Sequence, residues 1–85
     1  MTYEVRLARR ARRSLESLER RDQQRIRAAL DLLADNPRPP LCVALRGEES
    51  AYRVRVGDDR IVYEVLDRVL VVQVIRIGHR RDVYR

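Results

Sequence analysis

The fold is decided by the stretch AYRVRVGDDRIVYEV, residues 51–65, because it contains two alternating segments around a tight polar turn. Apolar and polar residues alternate in AYRVRV (51–56) and again in RIVYEV (60–65), which is the period of a half-buried β-strand. The segment GDD (57–59) between them is short enough to impose an antiparallel hairpin. We therefore predict a hairpin with one apolar face and one polar face.

Two further segments extend this hairpin into a sheet. RVLVVQVIRI (68–77) follows a second short turn, LD, and we expect Gly78 to end that strand. LCVAL (41–45) precedes the hairpin and also has the residue types of a strand. Strands joined by such short turns pair as an antiparallel meander.

The first 36 residues predict a short strand and an αα-hairpin. TYEVRL (2–7) alternates, and from Ala8 onward Ala11, Leu15 and Leu18 follow at helical spacing. Asp22 is a suitable N-cap for a second helix, which Asn36-Pro37 then ends. The inward face of that second helix consists of Ile26, Ala29, Leu30 and Leu33.

The segment PRPP (37–40) predicts an extended linker between the helices and the meander. The order is a strand, two helices and then a three- to four-stranded antiparallel meander, which is an α+β fold in a single domain spanning residues 1–85. The helices can cover only one face of the sheet, so the other face is open to water or to a ligand. We call this second surface the open face.

The composition favours a polyanionic partner. The formal net charge is +6 and the sequence pI is about 10.6, and all 19 basic residues other than the histidine are arginine. Small basic domains usually bind nucleic acid, and arginine contacts phosphate with paired donors. The alternative is a basic surface that serves only solubility.

The sequence predicts neither a metal nor a cofactor. A single cysteine, Cys42, excludes an internal disulfide and a multi-cysteine metal site, and a single histidine excludes a zinc site built on a His cluster. The N-terminal residues do not resemble a signal peptide, and the apolar stretch VLVVQVI (69–75) is too short to span a membrane. We therefore expect a cytoplasmic protein.

Arginine side chains are predicted to line the open face. Arg53 and Arg55 share one side of their strand, and Val54 and Val56 share the other. The valines must face the helices, because burying two unpaired guanidinium groups would cost several kcal/mol. Parity places Arg60 on the open face too, across the ladder from Arg53 or Arg55.

A purely structural interpretation of these arginines remains open. Asp58 and Asp59 in the turn and Glu64 on the next strand could balance part of the charge. The arginines would then be solvated strand residues.

The segment IGHRRDVYR (77–85) adds further candidate residues. His79 adds an imidazole, Arg80 and Arg81 add charge, and Tyr84 is an aromatic residue near the end. A surface histidine and a packing tyrosine are the ordinary alternatives for His79 and Tyr84.

These motifs in this order resemble the RelE/ParE superfamily of bacterial toxins, and the RelE branch in particular. The resemblance rests on AYRVRVGDDRIVYEV, on VLVVQVIRIGHRRDVYR (69–85) and on the order β-α-α-β-β-β, and it covers essentially the whole chain. It implies the toxin of a toxin–antitoxin system that inhibits translation. The activity implied is a ribosome-dependent mRNA endoribonuclease that needs no metal, and the partners implied are the ribosome, its mRNA and a RelB-like antitoxin.

The resemblance also implies which residues are functional. The two basic strand positions fall on Arg53 and Arg55, where lysines are common in the family, and the next strand begins with Arg60. Arg80 and Tyr84 match the arginine and the tyrosine that follow the last strand.

RNA cleavage without a metal needs a base for the 2′-OH, cationic groups for the phosphorane and an acid for the leaving oxygen. Arginine suits the cationic role but is too weak a base, since its pKa exceeds about 12. Tyr84 and His79 therefore remain as candidate bases, with Tyr84 preferred from the family match, and Arg80 is expected nearest the developing charge.

Further arginines are predicted to bind RNA. They are Arg81 and the exposed residues of the first helix, namely Arg9, Arg10, Arg12 and Arg13. The alternative for the helix is a solvated face with ion pairs such as Glu16 with Arg20.

Two other functions remain open at this point. A ParE-like toxin has the same fold and inhibits DNA gyrase, and a non-catalytic module would only bind nucleic acid. For the antitoxin, the exposed sheet edge and the seam between the helices are the expected docking surfaces, because they suit an added extended segment and an added helix.

Overall fold

The computed structural model describes residues 2–47 and 50–79, which form two helices and five strands. In chain order these are β1 (Glu4–Leu7), α1 (Arg9–Ser17), α2 (Arg20–Asp35), β2 (Val43–Ala44), β3 (Ala51–Val56), β4 (Asp59–Leu66) and β5 (Val71–His79).

The strands form one sheet in the order β1-β5-β4-β3-β2. The pairs from β2 to β5 are antiparallel, and β1 pairs with β5 in parallel. The α+β prediction with its antiparallel meander is confirmed, and the parallel edge strand makes the sheet mixed. None of the helices in these residues is long and apolar enough to cross a membrane.

Both helices pack on the same face of the sheet. α1 buries Ala11 and Leu15, and only two residues separate it from α2, so the αα-hairpin is confirmed. The covered side of the sheet contributes a second set of buried side chains, namely Val54, Ile61, Tyr63, Val65, Val72, Val74 and Ile77.

The start of α2 differs from the prediction. Glu19 occupies the N-cap position, and Asp22 lies in the first turn of the helix. Asp22 as N-cap was therefore wrong, although a carboxylate in the first turn still stabilises the positive end of the helix dipole. The buried residues of α2 are Ile26, Leu30 and Leu33, and Ala29 is half-buried.

The segment LCVAL forms a much shorter strand than predicted. The backbone N–H of Cys42 donates to the carbonyl of Pro39 at 3.0 Å, so the chain turns before it can pair with the rest of β3. Only Val43 and Ala44 pair with β3. Within the described part of the chain, residues 54–56 of β3 consequently have no neighbouring strand on that edge.

The last strand is shifted toward the C-terminus relative to the prediction. Residues 67–70 form a turn, in which the N–H of Leu70 donates to the carbonyl of Asp67. β5 continues through Gly78 to His79, and Gly78 pairs with Arg60. Gly78 as the end of the strand was therefore wrong, because the ladder with β4 extends beyond it.

A polar clamp fixes the linker to the sheet. The Tyr63 hydroxyl donates to the carbonyl of Pro37 at 2.8 Å, and the Arg38 guanidinium donates to both carboxylate oxygens of Asp67 at 3.1 and 2.7 Å. The Tyr3 hydroxyl donates to Asp67 at 2.6 Å. The bonds from Arg38 and then Tyr3 lower the pKa of Asp67 to about 2.

Candidate functional site

The open face carries a row of residues across β3, β4 and β5. Arg55 pairs directly with Arg60, and Arg60 pairs with Gly78. Residues directly opposite in an antiparallel ladder point to the same side of the sheet. Arg55 and Arg60 therefore lie side by side, and Gly78 contributes no side chain beside the Arg60 guanidinium.

A second row lies one step along the strands. Val43 pairs with Arg53, Arg53 with Val62, and Val62 with Arg76. Val54 and Ile61, between the two rows, point into the core. The placement of Arg53, Arg55 and Arg60 on one face thus follows from the register, as parity predicts.

The three arginines differ in burial. Arg55 is exposed and Arg53 is half-buried, but Arg60 is only 5% exposed and its Nη1 donates to the carbonyl of Asp59 at 3.2 Å. The alternation of a strand predicts which face of the sheet a side chain occupies. It does not predict how deeply the side chain is buried, because burial depends on the neighbouring strands.

These side chains line a cavity with a volume of about 590 Å³, which we call the basic concavity. Its lining consists of Leu41, Val43, Arg53, Arg55, Gly57 and Arg60. Its described lining contains three guanidinium groups and no carboxylate. Such a surface attracts anions, and arginine fits phosphate oxygens with paired hydrogen bonds.

His79 lies on the other side of the sheet. It pairs with Asp59 at the end of β5, one residue beyond Gly78. Burial, and then the nearby Asp22 carboxylate, raise the pKa of Asp59, while His79 and Arg25 lower it. Because Asp22 and Arg25 belong to α2, both Asp59 and His79 face the helical side. The structure does not bring His79 into the basic concavity.

Three of the candidate residues, Arg80, Arg81 and Tyr84, lie outside the described residues. Their roles stay predictions.

The arginines of α1 form a separate surface. Arg9, Arg10, Arg12 and Arg13 are all exposed. α1 packs against the covered side of β5, so these side chains cannot contact the same phosphate as the basic concavity. Among the described residues, no group of three or more His, Cys, Asp or Glu side chains could hold a metal ion.

Sequence reasoning missed Arg76 because of a β-bulge. Val62 pairs with Arg76 but Tyr63 pairs with Val74, so Ile75 is an extra residue in β5. The alternation of Val72 and Val74 would otherwise send Arg76 into the core. The available signal was a break in period, since the next apolar residue that packs inward is Ile77.

An apolar groove borders the basic concavity on the helical side of the β3 edge. It has a volume of about 590 Å³ and lies between α2, the linker and β3. Leu32 on α2 and Leu41 in the linker are 69% and 76% exposed. Leu41 and Arg55 line both the groove and the basic concavity.

Comparison with known proteins gives consistent matches. Residues 5–84 match the family described as "ParE toxin of type II toxin-antitoxin system, parDE". A protein of Escherichia coli named as a RelE-like toxin is 33% identical over 88 residues, covering 99% of this chain and 92% of the relative. Toxin RelG of Mycobacterium tuberculosis is 38% identical over 90 residues, covering 100% of this chain and 99% of the relative.

The fold also matches a solved structure. The crystal structure of the archaeal RelE–RelB complex from Pyrococcus horikoshii OT3 superposes with a TM-score of 0.84 at 28% identity, over 96% of this chain and 99% of that chain.

Proposed function

This chain belongs to the RelE/ParE family and is the toxin of a RelBE-type toxin–antitoxin system, and on that premise we propose that it is a metal-independent endoribonuclease that cleaves mRNA on the ribosome. We place this activity in the cytoplasm, where message is translated.

The observation that carries the proposal is the direct pairing of Arg55 with Arg60 in a concavity whose described lining has no acid. Like charges directly opposite in a ladder destabilise a sheet. A phosphate between the two guanidinium groups reverses that effect, because each group then contacts an anion.

The chemistry proposed is attack of a ribose 2′-OH on the adjacent phosphorus. A base removes the 2′-OH proton as the O2′–P bond forms, and an acid protonates O5′ as the P–O5′ bond breaks. The products are a 2′,3′-cyclic phosphate and a 5′-hydroxyl. Arg53, Arg55 and Arg60 bind the phosphate and stabilise the charge of the phosphorane, and Arg80 adds a further cation.

The base in this scheme is Tyr84. A phenol has a pKa near 10 in water, and guanidinium groups placed beside a phenol favour its ionised form. The position of His79 on the helical side supports Tyr84 over His79, because a base must come within hydrogen-bond reach of the proton that it removes.

Primer extension on mRNA in a purified translation system tests this function. Wild type should give discrete cuts that require ribosomes. Loss of the base in Tyr84→Phe should slow cleavage by about 10²–10⁴-fold, and Arg55→Ala and Arg80→Ala should each slow it by about 10²–10³-fold.

Two control variants are needed to interpret the loss of cleavage. Arg27→Ala removes an exposed arginine of α2 and should cleave like wild type. The variant His79→Ala should also retain most of the cleavage activity. If His79→Ala were inactive while Tyr84→Phe remained active, the base would be His79. If no cuts appear and growth arrest persists in cells, the result would instead indicate a ParE-like gyrase inhibitor. If there is no cleavage and RNA binding weakens gradually as arginines are replaced, the result would indicate a nucleic-acid-binding module.

For the partner, we infer that a RelB-like antitoxin docks on the apolar groove and the adjoining β3 edge. The exposed Leu32 and Leu41 and the edge at residues 54–56 favour a segment that adds a strand and inserts apolar side chains. Arg25 and Arg55 at the groove favour acidic residues in that segment. The docking surface inferred here is the groove between α2 and β3. The seam between the helices, expected from the sequence, stays a prediction.

Substitution of a groove leucine tests the docking surface. Leu32→Asp should weaken binding of the cognate antitoxin at least tenfold in calorimetry, because a charge would enter an apolar contact. Val69→Asp is the matched control, since Val69 is 63% exposed but lies in the turn before β5. Equal affinities for the two variants would place the antitoxin elsewhere.

A further inference from the structure

The β-bulge in β5 changes which face Arg76 occupies. Before the bulge, Val72 and Val74 point into the core, and after it Ile77 does. The extra residue, Ile75, is half-buried and is not among the side chains that pack on the core. The bulge therefore brings Arg76 to the open face, directly across from Val62.

A bulge interrupts the ladder, and bulges occur frequently beside active sites, where they redirect a side chain. A regular β5 would have placed a guanidinium against the buried side of the sheet, which is unfavourable. The same irregularity thus keeps Arg76 out of the core and brings it to the face that carries Arg53, Arg55 and Arg60.

The position of Arg76 relative to these arginines is fixed by the register. Arg53, Val62 and Arg76 form one row, so Arg53 and Arg76 are two strand spacings apart, about 10 Å between their backbones. Arg60 and Arg76 are diagonal neighbours on adjacent strands, a separation of about 7–8 Å between Cα atoms. Val62 and Ile75 provide apolar surface between and beside them.

We propose that Arg76 binds a second backbone phosphate of the same RNA strand, next to the phosphate held by Arg55 and Arg60. This inference rests on the proposed function, since it extends the open face from one phosphate site to two. The RNA strand then crosses the sheet from β3 toward β5. Successive phosphates of one strand are about 3.4 Å apart along a duplex axis and farther apart in an extended strand, so a neighbouring phosphate reaches the Arg76 side.

Glu64 and Gln73 lie at the border of this second site. They pair with each other on the open face, in the row beyond Arg76. A carboxylate there disfavours a further phosphate in that row.

The test measures binding of an uncleavable 2′-O-methyl RNA octamer by fluorescence anisotropy, over a series of salt concentrations. Arg76→Gln should bind about tenfold more weakly at low salt, the size expected for one charge-assisted contact. The slope of log K against log salt should fall by about 0.7, the value for one phosphate contact on a single strand. Arg76→Lys should restore most of the slope, because the charge is kept.

The matched control is Arg68→Gln, which removes the same charge from an exposed position in the turn before β5. It should change affinity less than twofold. Arg55→Gln is the positive control for the first phosphate site. Thermal unfolding of each variant separates lost contact from lost structure, since a binding role leaves the midpoint of Arg76→Gln close to that of Arg76→Lys.

The outcomes separate this inference from the function on which it rests. If Arg55→Gln weakens binding and Arg76→Gln behaves like Arg68→Gln, the second phosphate site is wrong and the first stands. If wild type does not bind the octamer, or Arg55→Gln has no effect, the open face does not bind RNA by itself and the second phosphate site is wrong; the proposed function is then decided by primer extension with ribosomes.

Discussion

At the scale of single residues, the arginines of the open face lower the stability of the free protein and also provide its proposed phosphate contacts. Arg55 and Arg60 are direct cross-strand neighbours, and like charges in that position repel. Arg53 is opposite Val62, where no like charge faces it. Because only Arg55 faces a like charge, comparing substitutions at Arg55 and Arg53 measures this repulsion in the absence of RNA.

Arg55→Thr should therefore stabilise the free protein while lowering its activity. We expect the free energy of unfolding in urea to rise by about 0.5 kcal/mol, because the repulsion is removed and threonine suits a strand. The gain should shrink as salt screens the charges. Arg53→Thr is the matched control and should gain less; an equal gain in both would assign the effect to strand propensity alone.

Asp59 is a second residue whose environment disfavours its charge. The residue is 5% exposed, and burial followed by Asp22 raises its pKa above the ordinary value of 3.8. Asp58 also raises it, whereas His79 and Arg25 lower it without reversing the shift.

The folded state thus holds the Asp59 proton more tightly than the unfolded state, and stability falls as the pH rises above 3.8 through the raised pKa. Asp59→Asn should raise the unfolding midpoint at pH 7, and this advantage should vanish near pH 3, where the carboxyl is protonated in both states. Asp31→Asn, at an exposed position of α2, controls for net charge. A gain that persists unchanged to pH 3 would contradict the buried-carboxyl explanation.

At the scale of elements, the linker is held by side chains distant in sequence. Tyr63, at the centre of β4, is buried and donates to the carbonyl of Pro37. Burial, and then the nearby Cys42, raise the pKa of Tyr63, so its hydroxyl remains a donor. The position of this linker matters for function because its Leu41 lines both the apolar groove and the basic concavity.

Tyr63→Phe should lower the free energy of unfolding by about 1–2 kcal/mol, because the Pro37 carbonyl loses its buried donor. Tyr52→Phe serves as control, since the Tyr52 hydroxyl accepts from Arg38 at an exposed site and its loss should cost about 0.5 kcal/mol or less. Urea unfolding measures both variants. Equal losses would mean that the bond to Pro37 contributes no more than the exposed one.

At the scale of the whole molecule, positive charge is distributed over two separate surfaces. The basic concavity lies on the open face, and the arginines of α1 lie on the covered side of the sheet. The two surfaces can contact different parts of a large polyanion at the same time, and a ribosome with its message is such a partner in the proposed function.

The double variant Arg9→Gln with Arg13→Gln should weaken ribosome association without slowing cleavage at saturating ribosome concentration. Sedimentation at several salt concentrations should show a slope reduced by about 0.9 for each lost phosphate contact, which is the value for duplex DNA. Arg27→Gln with Arg68→Gln removes the same charge elsewhere and should leave the slope unchanged. Equal slopes for the two double variants would make the α1 arginines a solvated face.

Local periodicity determined the elements of this protein. The apolar spacing in α1 and α2 and the alternation in β3 and β4 specify helices and strands, because each pattern buries one side of only one regular structure. Parity also placed Arg53, Arg55 and Arg60 on a common face, since the side chains of a strand alternate strictly.

Contacts between distant segments decided the rest. The parallel pairing of β1 with β5, the depth of Arg60 and the bulge that turns Arg76 outward all depend on which strands become neighbours. The sequence of β5 contains a break in its alternation, because Gln73 and Arg76 are three residues apart, but only the register with β4 decides that the bulge turns Arg76 to the open face. Tertiary pairing therefore set the composition of the site, while the sequence by itself set the elements that carry it.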